Sequence, residues 1–252
     1  LAAGQGKRFG GDTPKVLVPL RGMPMILRLL DAVAASRVTE CPVVVVGYGA
    51  QRVRDILGVG YDYVTQDRQL GTGHAVACCR ERLQHRPGPV LVLYGDMPML
   101  TAATIRRIAD THSAHGPVLT MATVTATAFA DWRACLASYG RVVRDATGQL
   151  ERIAEVRDAT PAERQIREVN PSFFCFRSQW LWPNVGCLQA TNTLGELYLT
   201  DLLGLAVAEG MPVHTVPVEP REALGANTPE ELAILESLLS ADPIFPASCT
   251  PV

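Results

Sequence analysis

The sequence predicts an α/β fold: a mostly parallel sheet flanked by helices, followed by a smaller β-rich half. Three observations predict it. Short, continuous aliphatic runs at 43–46, 90–94 and 118–124 read as strands buried on both faces. Helical segments lie between them at the spacing of βαβ units. After Ala126 the rhythm changes to hairpin-like pairs around a Gly-bearing turn.

Taken in order, Leu1-Ala2-Ala3 reads as the end of a first, central strand. The sequence begins at Leu1 rather than Met, and the natural product is expected to extend upstream by several apolar residues. Helices are expected over 25–35, 51–57, 73–83 and 102–112, and strands at 43–46, 61–64, 90–94 and 118–124. In the second part, 141–144 and 149–153 form a hairpin across Asp145–Gly148, and 168–176 is extended. Helices return at 179–187 and 199–209, then a strand at 213–218. Thr228-Pro229-Glu230-Glu231 starts a last helix, with Thr at the N-cap and Glu at the capping-box position. The expected organisation is one domain over 1–240, with a nucleotide-binding half (1–125), a second half closing over it (126–240), and a frayed tail (241–252).

Composition excludes several function classes. The 252 residues are 48% hydrophobic, enough for a sizeable core. Twenty-three basic against 25 acidic residues give a net charge of −2, so nucleic acid and acidic membranes are not expected partners. The longest aliphatic run, Val43 to Val46, is far short of the roughly 20 residues of a membrane span. No signal peptide is visible. The seven cysteines contain no C-x-x-C pair and read as reduced thiols, which fits a cytoplasmic location.

Three segments carry chemistry. In Leu1–Gly11 the glycines Gly4 and Gly6 let backbone N–H groups approach an anion, and Lys7, Arg8 and Lys15 add cations. Backbone donors with cations favour a polyphosphate. A dinucleotide-binding loop fails here because Phe9 takes the third glycine position, which argues against an NAD enzyme; no Gly-Lys-Ser/Thr follows for a Walker loop. The second segment is Gln66–Ala75, a strand-to-helix junction with Gly71 and Gly73, where Thr72 is expected to cap the helix. His74 alone reads as packed or solvated. The third is Tyr94-Gly95-Asp96. Asp96 falls past the carboxyl end of an apolar strand, where open α/β sheets bind ligands, and a lone carboxylate there suits Mg2+. His112 and His115 have only chance metal spacing, Trp180 and Trp182 read as packing, and no nucleophile–base set stands out.

These residues resemble a known family. Leu1-Ala2-Ala3-Gly4-x-Gly6-x-Arg8 with Pro14-Lys15 is similar to the signature of sugar-1-phosphate nucleotidylyltransferases. Gln66…Leu70-Gly71-Thr72-Gly73-His74-Ala75, Tyr94-Gly95-Asp96, Tyr139-Gly140-Arg141 and Glu155…Asp158-Ala159-Thr160 are similar to the N-acetylglucosamine-1-phosphate uridylyltransferase family. So are Glu168-Val169-Asn170, 196–201 and Gly225-Ala226-Asn227. Eight motifs occur in the family's order across nearly the whole chain.

The resemblance implies a Rossmann-like sheet with a smaller β-rich sugar-binding half. It implies transfer of a uridylyl group from UTP to N-acetylglucosamine 1-phosphate, with Mg2+ as cofactor, serving cell-wall precursor biosynthesis. Arg8, Lys15 and Asp96 would be catalytic. Ala3, Gly4, Gly6, Gln66 and Gly71 would bind the nucleotide, and Thr72, Tyr94, Gly140, Glu155 and Asn170 the sugar. Asp96 and Asn227 would hold the metal. Two departures stand out: Asn170 is followed by Pro171-Ser172 where the family has Thr-Gly, and these residues contain no hexapeptide repeat of the acetyltransferase that commonly continues such proteins, so a single-function form or an excised domain is expected. The first bears on which sugar 1-phosphate is bound. The alternatives are another sugar 1-phosphate or a non-catalytic nucleotide-sugar sensor.

Overall fold

A computed structural model describes residues 1–10 and 12–240, apart from the side chain of Lys7. The expected tail over 241–252, with Cys249, lies outside the described residues, as does the Lys7 cation.

A small hairpin, β1 (Pro19–Leu20) and β2 (Met23–Pro24), leads into α1 (Met25–Ser36). Strands of two residues show no alternation, so the pattern does not reveal them. The expected alternation follows: β3 (Val43–Val46), α2 (Ala50–Leu57), β4 (Asp62–Thr65), α3 (Thr72–Ala77), α4 (Arg80–Leu83), β5 (Val90–Val92), α5 (Ala102–His115) and β6 (Leu119–Thr125). The single helix expected over 73–83 divides at Cys78–Cys79. There the Cys79 N–H bonds the Val76 carbonyl at 2.9 Å, an i→i−3 turn, and its thiol is buried.

The second part contributes β7 (Arg141–Arg144) and β8 (Leu150–Ala154) as the expected hairpin. Then come β9 (Glu168–Val169), β10 (Phe174–Phe176), α6 (Ser178–Val185), α7 (Asp201–Ala208), β11 (Val213–Pro217) and α8 (Pro229–Ser240). The extended run expected over 168–176 is broken at Asn170-Pro171-Ser172. Pro171 has no N–H, the Asn170 Oδ1 accepts the Ser172 N–H at 2.9 Å, and Ser172 sits at φ +66°.

The sheets mix parallel and antiparallel pairs, with β3 and β4 apart from the seven-stranded sheet that holds the other long strands. β3 pairs parallel with β4, and β11 with β6. Leu1–Ala3 run between β3 and the end of β5: the Ala2 N–H bonds Val45 O at 2.7 Å, and the Gly95 N–H bonds Leu1 O at 2.9 Å. This is the parallel, central strand end that the sequence predicts. β10 is inserted antiparallel between β5 and β6. β9, β7 and β8 continue from β6 as an antiparallel extension. The core gathers on both faces of β6, where Leu119, Met121, Ala122 and Val124 are buried, and on Phe173, Phe174 and Phe176. Burial on both faces is why β6 reads as an unbroken apolar run.

Candidate active site

The glycine-rich loop turns at Gly6 into a short 3-10 turn, Lys7–Phe9, closed by the Phe9 N–H on Gly6 O at 3.0 Å. Phe9 packs against the main core, which explains an aromatic residue where a dinucleotide loop needs glycine. A second 3-10 turn, Lys15–Leu17, follows Pro14. Val16 and Leu17 are buried and anchor it, so Lys15 is presented toward the turn that follows β5. A Cβ at Gly6 would lie 2.8 Å from the Lys15 Cβ. Gly6 therefore serves the close passage of Lys15.

Asp96 follows β5 in a turn closed by the Met97 N–H on Tyr94 O at 3.1 Å, with Met97, Met99 and Leu100 buried behind it. Asn227 precedes α8. The capping box forms: the Glu231 N–H bonds the Thr228 Oγ1 at 3.2 Å, and the Glu231 carboxylate reaches back one residue further, to the Asn227 N–H at 2.6 Å. The Tyr139 hydroxyl accepts the Gly225 N–H at 3.2 Å and donates to Ala223 O at 2.7 Å, fixing the loop.

These three segments converge. The Lys15 ammonium donates to both Asp96 Oδ2 and Asn227 Oδ1, 81 and 212 residues away in sequence. The Lys15 and Asp96 side chains are 15% and 17% exposed. They face a cleft of about 220 Å³ whose walls include Ala3, Gly4, Gln66, Gly71, Thr72 and Tyr94. A larger cavity of about 420 Å³ lies among the aliphatic side chains of β3 and β5, away from these polar groups.

A second wall of the cleft is built by the Gln66–Gly73 junction. A Cβ at Gly71 would lie 2.5 Å from Leu197 O, so only glycine admits the 196–198 segment laid across it. Leu197 bonds Leu70 O at 2.7 Å and accepts the Gly73 N–H at 2.8 Å. This strap brings Glu196 to the cleft, as Gln69 is brought by its own turn. Sequence reasoning assigned no role to either. Thr72 does not cap α3: Gly71 holds the N-cap without a side-chain bond, and the Thr72 hydroxyl accepts the Leu199 N–H at 3.0 Å instead. A long-range backbone donor outcompetes the local one.

The residues expected around the sugar are also joined. The Tyr94 hydroxyl faces the side chains of Thr72 and Ser172, and burial pushes its phenol above the usual range. The Asn170 N–H bonds Gly140 O at 2.9 Å. Both Glu155 carboxylate oxygens lie 3.3 Å from where a Gly140 Cβ would be. Burial raises the Glu155 carboxyl above its ordinary value; the Thr200 hydroxyl, donating at 3.0 Å, opposes this, and Asp201 and Asp158 reinforce it. Arg8 stands apart. It is exposed in the 3-10 turn that sends Phe9 inward, and it does not line the cleft.

Of the remaining histidines and tryptophans, His112 is buried against Thr120 at 3.0 Å and His115 stacks on His214. Trp180 and Trp182 are buried, their indole N–H groups bonded to Glu209 and Ser178. Among the described residues, no cluster of three or more His, Cys, Asp or Glu is placed to hold a metal ion, and no helix is long and apolar enough to cross a membrane.

Residues 1–173 match the family described as MobA-like NTP transferase domain. The chain is 38% identical over 243 residues to the bifunctional protein GlmU of Brevibacillus brevis, covering 95% of this chain and 50% of that protein. It is 40% identical over 236 residues to GlmU of Trichlorobacter lovleyi, covering 92% and 50%. The chain thus spans about half the length of the curated relatives it matches. A crystal structure of UDP-glucose pyrophosphorylase complexed with UDP-glucose superposes with a TM-score of 0.73 at 13% identity, covering 95% of this chain and 96% of that one, which shows a shared fold. By sequence, the chain belongs to the MobA-like NTP transferase domain family.

Proposed function

We propose that the chain transfers a uridylyl group from UTP to N-acetylglucosamine 1-phosphate, giving UDP-N-acetylglucosamine and pyrophosphate. The observation that carries this reading is the convergence of Lys15, Asp96 and Asn227 at the mouth of a cleft bordered by the glycine-rich loop. In this reading residues 1–240 act as one nucleotidyltransferase domain. Residues 1–125 hold the nucleotide through Ala3, Gly4, Gly6, Gln66 and Gly71. Residues 126–240 supply Gly140, Glu155 and Asn170, which face the sugar together with Thr72 and Tyr94.

A sugar 1-phosphate oxygen attacks the α-phosphorus of UTP in line, the bond to the β-phosphate oxygen breaks, and pyrophosphate leaves. The attacking oxygen is already anionic, so no strong general base is needed. The barrier is alignment and charge repulsion, and catalysis rests on positioning and electrostatics. Lys15 neutralises phosphate charge. Arg8 enters from the exposed loop as a second cation.

The residues fit Mg2+: a carboxylate and an amide oxygen converge on a single cationic group, the hard-oxygen donor set this ion takes. Asp96 and Asn227 would hold it, and when bound it supplies charge neutralisation between the two phosphate groups. The sequence and fold features favour a cytoplasmic enzyme without nucleic-acid or membrane partners.

One observation favours a different sugar 1-phosphate. The Asn170 amide is engaged at both ends by Ser172, taking its N–H at 2.9 Å and donating to its hydroxyl at 3.3 Å. A panel of sugar 1-phosphates with UTP and Mg2+, read by pyrophosphate release, decides. N-acetylglucosamine 1-phosphate is expected to give the highest kcat/KM. Faster turnover of glucose 1-phosphate overturns the assignment of the sugar. UTP binding without pyrophosphate release from any sugar phosphate makes the chain a sensor instead.

A further inference from the structure

Gln66 is 3% exposed, and its amide is held from behind by two acceptors. Its Nε2 donates to Gly71 O at 3.0 Å and lies 3.0 Å from the His74 Nδ1. A backbone carbonyl only accepts, so the NH2 end must face it, and the second amide hydrogen then points at the imidazole. The His74 Nδ1 is therefore the unprotonated nitrogen. Its Nε2 carries the hydrogen and faces the Cys78 Sγ at 3.8 Å. Every donor in this relay has an acceptor. One atom is left over, the Gln66 Oε1, which has no hydrogen bond to protein and is not among the buried unsatisfied atoms of the described residues. Gln66 forms part of the cleft wall, whereas His74 sits behind it on α3. The amide thus turns its oxygen toward the cleft.

We propose that His74 is a positioning residue for base selection: by accepting from Gln66 it fixes the amide with its oxygen toward the bound nucleobase. The inference rests on the reading of Gln66 as a base-facing residue. An amide oxygen accepts the N3–H of a uracil ring. It meets a lone pair at the same position of cytosine, which is repulsive. Discrimination of this kind comes from a polar group left unpaired or opposed, and it is larger than a lost apolar contact provides. Without the His74 acceptor, only the Gly71 carbonyl holds the amide, one hydrogen of its NH2 end loses its partner, and the direction of its oxygen is held less firmly.

The test compares the affinity of UTP and CTP, measured by titration calorimetry with Mg2+ and no sugar phosphate, in the parent chain, His74→Phe and His74→Asn. Phe keeps bulk without an acceptor. The Asn amide oxygen takes the place of Nδ1. The parent is expected to prefer UTP. His74→Phe is expected to lower the UTP:CTP affinity ratio about tenfold, the worth of one hydrogen bond, whereas His74→Asn stays within about threefold of the parent. An unchanged ratio in His74→Phe overturns the proposal, as does a His74→Asn that behaves like His74→Phe, or a parent that binds CTP as tightly as UTP. Should His74→Phe not fold, the nitrogen-15 spectrum of the parent decides: a protonated His74 Nδ1 overturns the proposal, and an unprotonated one supports it. Absence of pyrophosphate release by the parent defeats the enzymatic reading alone, because the affinity ratio is measured without turnover.

Discussion

Lys15 and Asp96 form an ion pair across 81 residues of chain, at the junction of the loop turn and the end of β5. The same ammonium is bonded to Asn227, so one cation ties together the three segments that the sequence motifs single out separately. A charge held this way is positioned before substrate arrives, which is the condition for electrostatic catalysis. Lys15→Ala and Asp96→Asn are each expected to lower kcat by about 10²–10³ while circular dichroism shows an intact fold. Values of kcat within twofold of the parent for both variants would remove the catalytic assignment.

The approach of Asn227 to Asp96 depends on Gly225. A Cβ there would lie 2.7 Å from the Asp96 backbone oxygen and 2.8 Å from the Met97 sulfur. Gly225→Ala must push the loop away from the end of β5, at a cost of about 1–3 kcal/mol as overpacking. Displacement of about 1 Å at such a site costs on the order of 10²-fold in rate, so kcat falls along with the melting temperature. A lower melting temperature with an unchanged kcat separates Asn227 from the chemistry.

Much of this was legible in the sequence where a local signal has one physical cause. The aliphatic runs at 43–46, 90–94 and 118–124 form strands β3, β5 and β6, of which β6 is covered on both faces, and Thr228 with Glu231 marks a helix start that forms. The expectations that changed are those where a distant partner wins. Thr72 was expected to serve its own helix, and the backbone of Leu199 takes its hydroxyl. The 73–83 helix breaks where Cys79 turns into the core, and nothing in its propensity marks that point. The reversed β10 pairs with strands more than 50 residues earlier in the chain, a relation no local window contains. Arg8 and Lys15 look alike as loop cations. The packing of Phe9 on one side and of Val16 and Leu17 on the other exposes the first and presents the second.

Ser172 holds a left-handed backbone at φ +66°, where a side chain costs about 1–2 kcal/mol relative to glycine. Its hydroxyl meets the Asn170 amide and faces the Tyr94 hydroxyl, so the strain places a polar group among the residues proposed to face the sugar. Ser172→Gly is expected to raise the melting temperature by about 2–4 °C, the response of a domain this size to about 1 kcal/mol. It is also expected to shift KM for the sugar 1-phosphate severalfold with KM for UTP unchanged. A gain in melting temperature with no change in either KM makes Ser172 a feature of the turn alone.

Glu155 links site chemistry to pH. Burial disfavours its ionised form, with Asp201 and Asp158 adding negative charge and the Thr200 hydroxyl compensating in part. Its folded-state pKa lies above its unfolded value. The stability it contributes is complete below the unfolded carboxyl range and is lost as pH rises through the raised folded value. Asp201 is shifted the same way by burial and by Asp158, so the two act together. Glu155→Gln keeps the shape and an acceptor for Thr200 without the charge. Its melting temperature is expected to exceed the parent's near neutral pH, and the difference to vanish toward about pH 4, where the parent carboxyl is protonated. Melting curves from about pH 4 to pH 8 check this, and a difference that is constant across that range would show that Glu155 is not destabilised by its charge.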